Sequence, residues 1–200
     1  MQAMTIKKSA MGLLIVIFLF LAAPSYAADA DSLFSLEVDP ATFFLKGYSL
    51  HFRFTPSNSA AAHWVFGLGI YALEFPDPLR DLVVNNSDDN LDLKLTHGYG
   101  LFSEYYLRPD RRGWFLGGQL ALTQYDLHNP SKGSDAHYTT LLIMPRAGYR
   151  WFPFQNGFYL LPWIGVGYNP KVSGGTTVGD KTYHLSPILP FATLHLGYQF

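Results

Sequence analysis

Four histidines stand in polar stretches with hydroxyls and an acid nearby: His97, His128, His137 and His184, with Ser131, Ser134 and Asp135. A histidine that deprotonates a serine while a carboxylate orients its ring is the core of acyl-transfer chemistry. No His-x-Ser-Asn pattern accompanies them, and loop histidines and serines are ordinarily just solvated. No catalytic residue is therefore assigned, and a non-enzymatic protein is the expectation. "NNSDDNLD" spaces Asp88, Asn90 and Asp92 like the start of a calcium loop, but the glycine at position six and the glutamate at position twelve are absent. The histidine spacing supplies no transition-metal set, so neither a metal site nor a cofactor is expected. A third group, Glu37, Arg53, Glu104, Arg146, Arg150 and His195, falls on the polar side of alternating stretches.

Those stretches have period two, the signature of strands. "YSLHFRFT" sets Tyr48, Leu50, Phe52 and Phe54 against Ser49, His51, Arg53 and Thr55. The same alternation runs through "FSLEVD", "HWVFGLGIYAL", "LKLTHGYGLFSEYYL", "WFLGGQLALTQY", "TLLIMPRAGYRW" and "FATLHLGYQF". "FYLLPWIGVGY" is apolar on both faces and completes a set of eight strands. In this phasing Leu93, Leu95, Tyr99 and Leu101 share the outer face of the fourth strand. The segment from Pro40 to Gly47 interrupts the pattern and leaves the first connection least defined. "PSNSAA" (56–61), "RPDRRG" (108–113) and "PFQNG" (153–157) are short connections, whereas 75–90, 128–136 and 169–182 are longer and polar.

Lys7 and Lys8, the apolar run Gly12 to Ala23, and "PSYA" together compose a secretory signal over 1–27, leaving 28–200 as one domain. The run is short for a spanning helix, which needs about 20 apolar residues, so a retained anchor is the lesser reading. Removing that segment moves the formal charge from −1 to −3. Neither value, nor any basic cluster, suggests a nucleic-acid partner. With no cysteine, a disulfide scaffold, a thiol nucleophile and a lipidated cysteine are excluded.

Aromatic residues bracket each short connection: Phe52, Phe54, Trp64 and Phe66; Tyr105, Tyr106, Trp114 and Phe115; Trp151, Phe152, Phe158 and Tyr159. Tyr198 and Phe200 reach the same level on the last strand. Rings with a polar handle favour a membrane interface.

With the signal segment, the alternating strands and the closing "LHLGYQF", the chain resembles the small eight-stranded outer-membrane proteins of Gram-negative bacteria. That class includes OmpA membrane domains, OmpX, OmpW and the opacity proteins. The resemblance implies an all-β fold, an eight-stranded antiparallel up-and-down transmembrane β-barrel with short periplasmic turns and longer extracellular loops. It implies location in the bacterial outer membrane, contact with its lipid and lipopolysaccharide, and assembly by the barrel assembly machinery. Leu196, Tyr198 and Phe200 would be the signal that machinery reads.

A small barrel has an interior wide enough for side chains or one small ligand. Glu37, Arg53, Glu104, Arg146, Arg150 and His195 are expected there as a polar network, a plug in preference to a proton-linked gate. Leu142, Met144, Leu161, Trp163 and Phe191 are expected to line an apolar pocket above it. Pro145, Pro162, Pro187 and Pro190 fall on strands six to eight, where a missing N–H makes either local bulges or a lateral gap to the bilayer. Two functional readings follow. One is a non-enzymatic barrel that binds or passes a small lipophilic molecule through such a gap, or supports the envelope. The other is a lipid A-modifying enzyme built from the rim histidines, serines and acid. A soluble lipocalin-like barrel would need polar outer faces, which this sequence lacks.

Overall fold

The computed structural model describes residues 34–56 and 61–200. The expected signal over 1–27 and part of the 56–61 turn lie outside the described residues. Strand β1 (Phe34–Val38) leads through helix α1 (Pro40–Phe44) to β2 (Tyr48–Phe54) and β3 (Trp64–Phe75). Helix α2 (Asp77–Val83) precedes β4 (Asp92–Tyr106), β5 (Gly113–Asn129), β6 (Ser134–Arg150) and β7 (Phe158–Tyr168). Three short strands, β8 (Lys171–Gly174), β9 (Thr177–Val178) and β10 (Lys181–Thr182), lie in the connection to β11 (Ile188–Gln199). The staves β1 to β7 and β11 pair antiparallel, each with its neighbour, and β1 meets β11 from Ser35↔Gln199 to Val38↔Leu196. The ring is a closed eight-stranded antiparallel barrel.

Alternation sets the faces. In β2, Tyr48, Leu50, Phe52 and Phe54 are exposed, while Ser49, His51 and Arg53 are buried. The fold thus turns apolar residues outward and much of its polar complement inward. The phase expected for the start of β4 is corrected here: Leu93 and Leu95 are buried, not outward. The register with β5 shifts between Leu95 and His97, so Thr96 is an extra residue that reverses the faces on either side of it. The expected long loop over 128–136 is also corrected. β5 and β6 stay paired from Gly113↔Arg150 to Asn129↔Ser134, and only a tight turn at 130–133 joins them.

Prolines explain the weak seams. Trp151 and Leu160 exchange both backbone hydrogen bonds at 2.8 Å. By alternation, odd residues of β6 and even residues of β7 therefore point their N–H groups at each other. Pro145 and Pro162 both occupy such donor positions. The β6–β7 ladder keeps one register but is interrupted around both of them. Between β7 and β11 the pairing runs unbroken from Ile188↔Tyr168 to Tyr198↔Phe158. Of the two readings of the prolines on strands six to eight, local irregularity or a lateral gap, the pairing fits the first: the ladder thins at β6–β7 and is complete at β7–β11.

The interrupted stave is β1. Asp39 leaves the strand and caps α1, and Pro40 at the start of the helix lacks the N–H that would extend the ladder. Above Val38, α1 packs against β2, β3 and β11 in place of a strand. Gly47 lets the chain turn back, since a Cβ there would stand 1.8 Å from the Ala72 carbonyl oxygen.

A candidate binding cavity

At the short-turn end, side chains from five staves form a buried charge network. Glu37 on β1 pairs with Arg53 on β2, which also pairs with Glu104 on β4; Arg146 on β6 completes the contact to Glu104. Tyr106 donates its hydroxyl proton to Glu104 at 3.0 Å, and Arg146 donates to Gln119 Oε1 at 3.0 Å. Tyr159 donates to Glu37 at 2.6 Å, and His195 meets the other Glu37 oxygen at 3.0 Å. Arg150 has no carboxylate in this group. Its guanidinium lies 3.8 Å from the Tyr159 ring centre and donates to Ser35 Oγ at 3.4 Å. The structure thus gathers Glu37, Arg53, Glu104, Arg146, Arg150 and His195 in one place. Three arginines against two glutamates leave one net positive charge, spread over the faces of Phe102, Trp163 and Tyr159.

Three potential metal ligands, Glu37, His51 and His195, lie with ligand atoms within 4.8 Å of one another. The chemistry is wrong for a cation. Trp163 donates its indole N–H to His195 Nε2 at 3.1 Å, so neither ring nitrogen of His195 is open. Both Glu37 oxygens are engaged, and the surroundings already carry net positive charge.

The opposite end is closed by hydrophobic contact. Val84, Leu91, Leu127, Val178 and Tyr183 are buried together beneath the long connections, and Tyr125 stacks on Tyr138 with centroids 4.9 Å apart. Val84 bridges to Leu185 across the mouth. Between this cap and the charge network lies a cavity of about 260 Å³. His51, Gln119 and His195 form its floor, and Tyr71, Leu142, Met144, Trp163 and Phe191 its walls. Leu79 and Val83 of α2 roof it, and Asp39, Thr42 and Leu45 border one side.

Four of the five expected pocket residues line this space. Leu161 does not, which corrects that expectation. It is fully buried lower down, in a cluster with Val65, Tyr106, Phe115 and Tyr159. Sequence reasoning missed the contributions of α1 and α2. Their signals are the Asp39-Pro40 and Pro76-Asp77-Pro78 starts, where proline suits the first helical turn and aspartate caps or complements it.

The rim residues form two separate His–Asp pairs, and the serines bond elsewhere. His128 Nδ1 lies 2.5 Å from Asp135 and His137 Nδ1 lies 2.7 Å from Asp126, two facing pairs on β5 and β6. Ser131 donates to Asn90 at 3.1 Å, and Ser134 accepts from the Gly179 N–H at 3.0 Å. Among the described residues no hydrogen bond joins either serine to a histidine. His97 faces outward against Tyr99, and the His184 backbone donates to Asn86. Asp88, from the calcium-like stretch, accepts from Lys181 at 2.7 Å and Tyr183 at 3.2 Å. The Lys181 ammonium holds its carboxyl below the ordinary value.

On the outer face at the short-turn end, Leu196 is half-buried and Phe200 is exposed. Tyr198 is buried, its ring 5.3 Å from that of Phe200. The ring girdle is smaller than the sequence suggests. Phe54, Trp64, Tyr105, Trp114 and Trp151 face out, but Tyr106, Phe115 and Tyr159 point into the lumen and pack around the arginines. No family model matches the sequence, and no curated protein matches it at a significant level.

Proposed function

We propose that the chain is exported and spans a bacterial outer membrane as a non-enzymatic barrel that holds a small lipophilic molecule in its lumen. The membrane reading is supported by the outer surface. Leu50, Leu68, Ile70, Leu101, Leu116 and Ile164 stand exposed in a continuous apolar band, edged at the short-turn end by Trp64, Tyr105, Trp114 and Trp151. In water such a band would drive aggregation; in lipid it is solvated. Lipid and lipopolysaccharide are then its surroundings, and the barrel assembly machinery would act on Leu196, Tyr198 and Phe200. Migration that changes on boiling in a detergent gel is the expected behaviour; a single position with and without heat would overturn the membrane barrel.

The binding reading is carried by one observation: a largely apolar space lies between a polar floor and a hydrophobic roof. A ligand pocket is typically a concave apolar volume with a few polar groups at one end, commonly about 300 Å³ or more, so this cavity of about 260 Å³ suits only a small ligand. The plug below and the cap above argue against a general pore. Trp163 lines the cavity, so the W64F/W114F/W151F protein keeps one indole as a reporter. Saturable energy transfer from Trp163 to N-phenyl-1-naphthylamine is expected in detergent-purified protein, and L142F, which fills the cavity, removes it. Transfer that never saturates, or that ignores L142F, would leave envelope support as the function.

The two His–Asp pairs on β5 and β6 favour a second reading, lipid A modification at the outer rim. Mass spectrometry of lipid A from cells with and without the protein decides it; identical spectra end that reading.

A further inference from the structure

The charge network floors the cavity and the long connections cover its top, but its side wall is incomplete. Between β11 and β2 the ladder stops at Val38. Gln199 donates its N–H to Gly157 at 2.9 Å, and Phe200 donates to Phe34 at 3.1 Å. By alternation the even residues of β11 face β1, so Pro190, Ala192 and Leu194 present a backbone edge opposite which, among the described residues, no strand lies. Pro190 sits where a proline is tolerated, its ring nitrogen on a free edge. What fills the breach is α1. Asp39, Thr42 and Leu45 on this panel, and Pro190, Ala192 and Thr193 across from it, all border the cavity. Outside, Phe44 is 77% exposed, and Leu79 and Leu82 of α2 are exposed as well.

One carboxylate fastens the panel. Asp39 Oδ1 accepts the Ala41 N–H at 2.9 Å and caps α1. Its Oδ2 accepts from the Thr193 hydroxyl on β11 at 2.8 Å, while its own N–H donates to Ser49 Oγ on β2 at 2.5 Å. Asp39 therefore ties the panel to both edges of the breach. The far end is held to β3, where the Glu74 N–H donates to the Leu45 carbonyl at 2.8 Å and Lys46 pairs with the Glu74 carboxylate.

We propose that the cavity takes an uncharged, ring-bearing lipophile sideways from the bilayer through this breach, with α1 as shutter and Asp39 as latch. The proposal rests on the binding reading above. An uncharged ligand is required because the route passes through hydrocarbon, where a charge is costly. Rings suit the inner surface, which offers Tyr71, Tyr125, Trp163 and Phe191 and the sulfur of Met144. A single polar group on the ligand would meet Gln119 or His51 at the floor.

The chain has no native cysteine, so M144C places a unique thiol inside the cavity. With the full barrel in nanodiscs, alkylation by the apolar N-phenylmaleimide reports access from the bilayer. Adding D39A should raise the rate about tenfold, the combined effect of a lost cap and a lost side-chain tie. T193V removes only the tie to β11 and should raise it about threefold, so it decides the matter if D39A does not fold. P162A, which restores a donor to the β6–β7 seam, should leave the rate unchanged. Rates that ignore both D39A and T193V, or that fall with P162A, overturn the shutter. The two readings fail separately: probe transfer from Trp163 without any Asp39 effect removes the shutter alone, and an Asp39 effect without saturable transfer removes the binding site.

Discussion

The Trp163 indole donates to His195 Nε2 at 3.1 Å, and His195 Nδ1 faces a Glu37 carboxylate oxygen at 3.0 Å. Indole nitrogen can only donate, so Nε2 is the accepting nitrogen and the ring proton resides on Nδ1. The imidazole is thereby held between a donor and an acceptor, and its plane stacks 4.6 Å from His51. Nitrogen-15 NMR of the barrel should find His195 as the Nδ1–H tautomer at neutral pH. An Nε2–H signature would mean that the Trp163 contact does not form.

Glu104 is fully buried between Arg53 and Arg146. Removing one partner of a buried ionic group leaves the others uncompensated, typically at about 3–5 kcal/mol. E104Q should lower unfolding stability in lipid vesicles by about that amount. E74Q, which loses the half-exposed Lys46 and Lys94 contacts, should cost under about 1 kcal/mol. Equal losses for the two variants would show that the network carries no special weight.

Pro162 takes a donor position opposite Tyr149 on the thinned seam. P162A supplies an N–H there with little change in side-chain burial. A stabilisation of about 0.5–1.5 kcal/mol is expected, the net value of one hydrogen bond. Urea titration of refolded barrels measures it. Destabilisation would mean that the proline's fixed backbone angle matters more than the missing donor.

Asp88, outside the barrel wall, has its carboxyl held below the ordinary value of 3.8, first by Lys181. A lowered folded value means that the clasp contributes fully at neutral pH. That contribution begins to fall near the unfolded value and is gone once the pH is below the lowered one. Amide exchange over 171–187 should therefore increase, after correction for intrinsic rates, as the pH falls below about 4. D88N/D180N, which also removes the Lys132–Asp180 pair of the same segment, should exchange at the same corrected rate at every pH, and D88N alone should show a smaller response than the native chain. A response undiminished by D88N would assign the change to another group.

The barrel was legible because alternation is a local property. Leu50, Phe52 and Phe54 against Ser49, His51 and Arg53 fix one stave without knowledge of any other. The same logic reached Glu37, Arg53, Glu104, Arg146, Arg150 and His195, since parity alone puts them inside. Parity fails wherever one residue is inserted, and Thr96 turned Leu93 and Leu95 to the wrong side on paper. The cavity's missing walls were less visible for a different reason. Whether Pro40 ends a strand or merely bends it depends on what occupies the far side of the seam, and that is β11, distant in sequence. Pro190 likewise reads as a puzzle in a closed ring until β1 is known to stop at Val38.

Ring closure at the β1–β11 seam depends on few rungs. Its strand register extends only from Ser35↔Gln199 to Val38↔Leu196, and the chain between those partners makes it the longest loop the fold must close. Such a joint costs the most chain entropy and returns few backbone hydrogen bonds. Glu37 sits in the middle of it and reaches Arg53, Tyr159 and His195 on three other staves. The carboxylate thus works as the buckle of a belt: one side chain on the shortest stave ties that stave to three others at once.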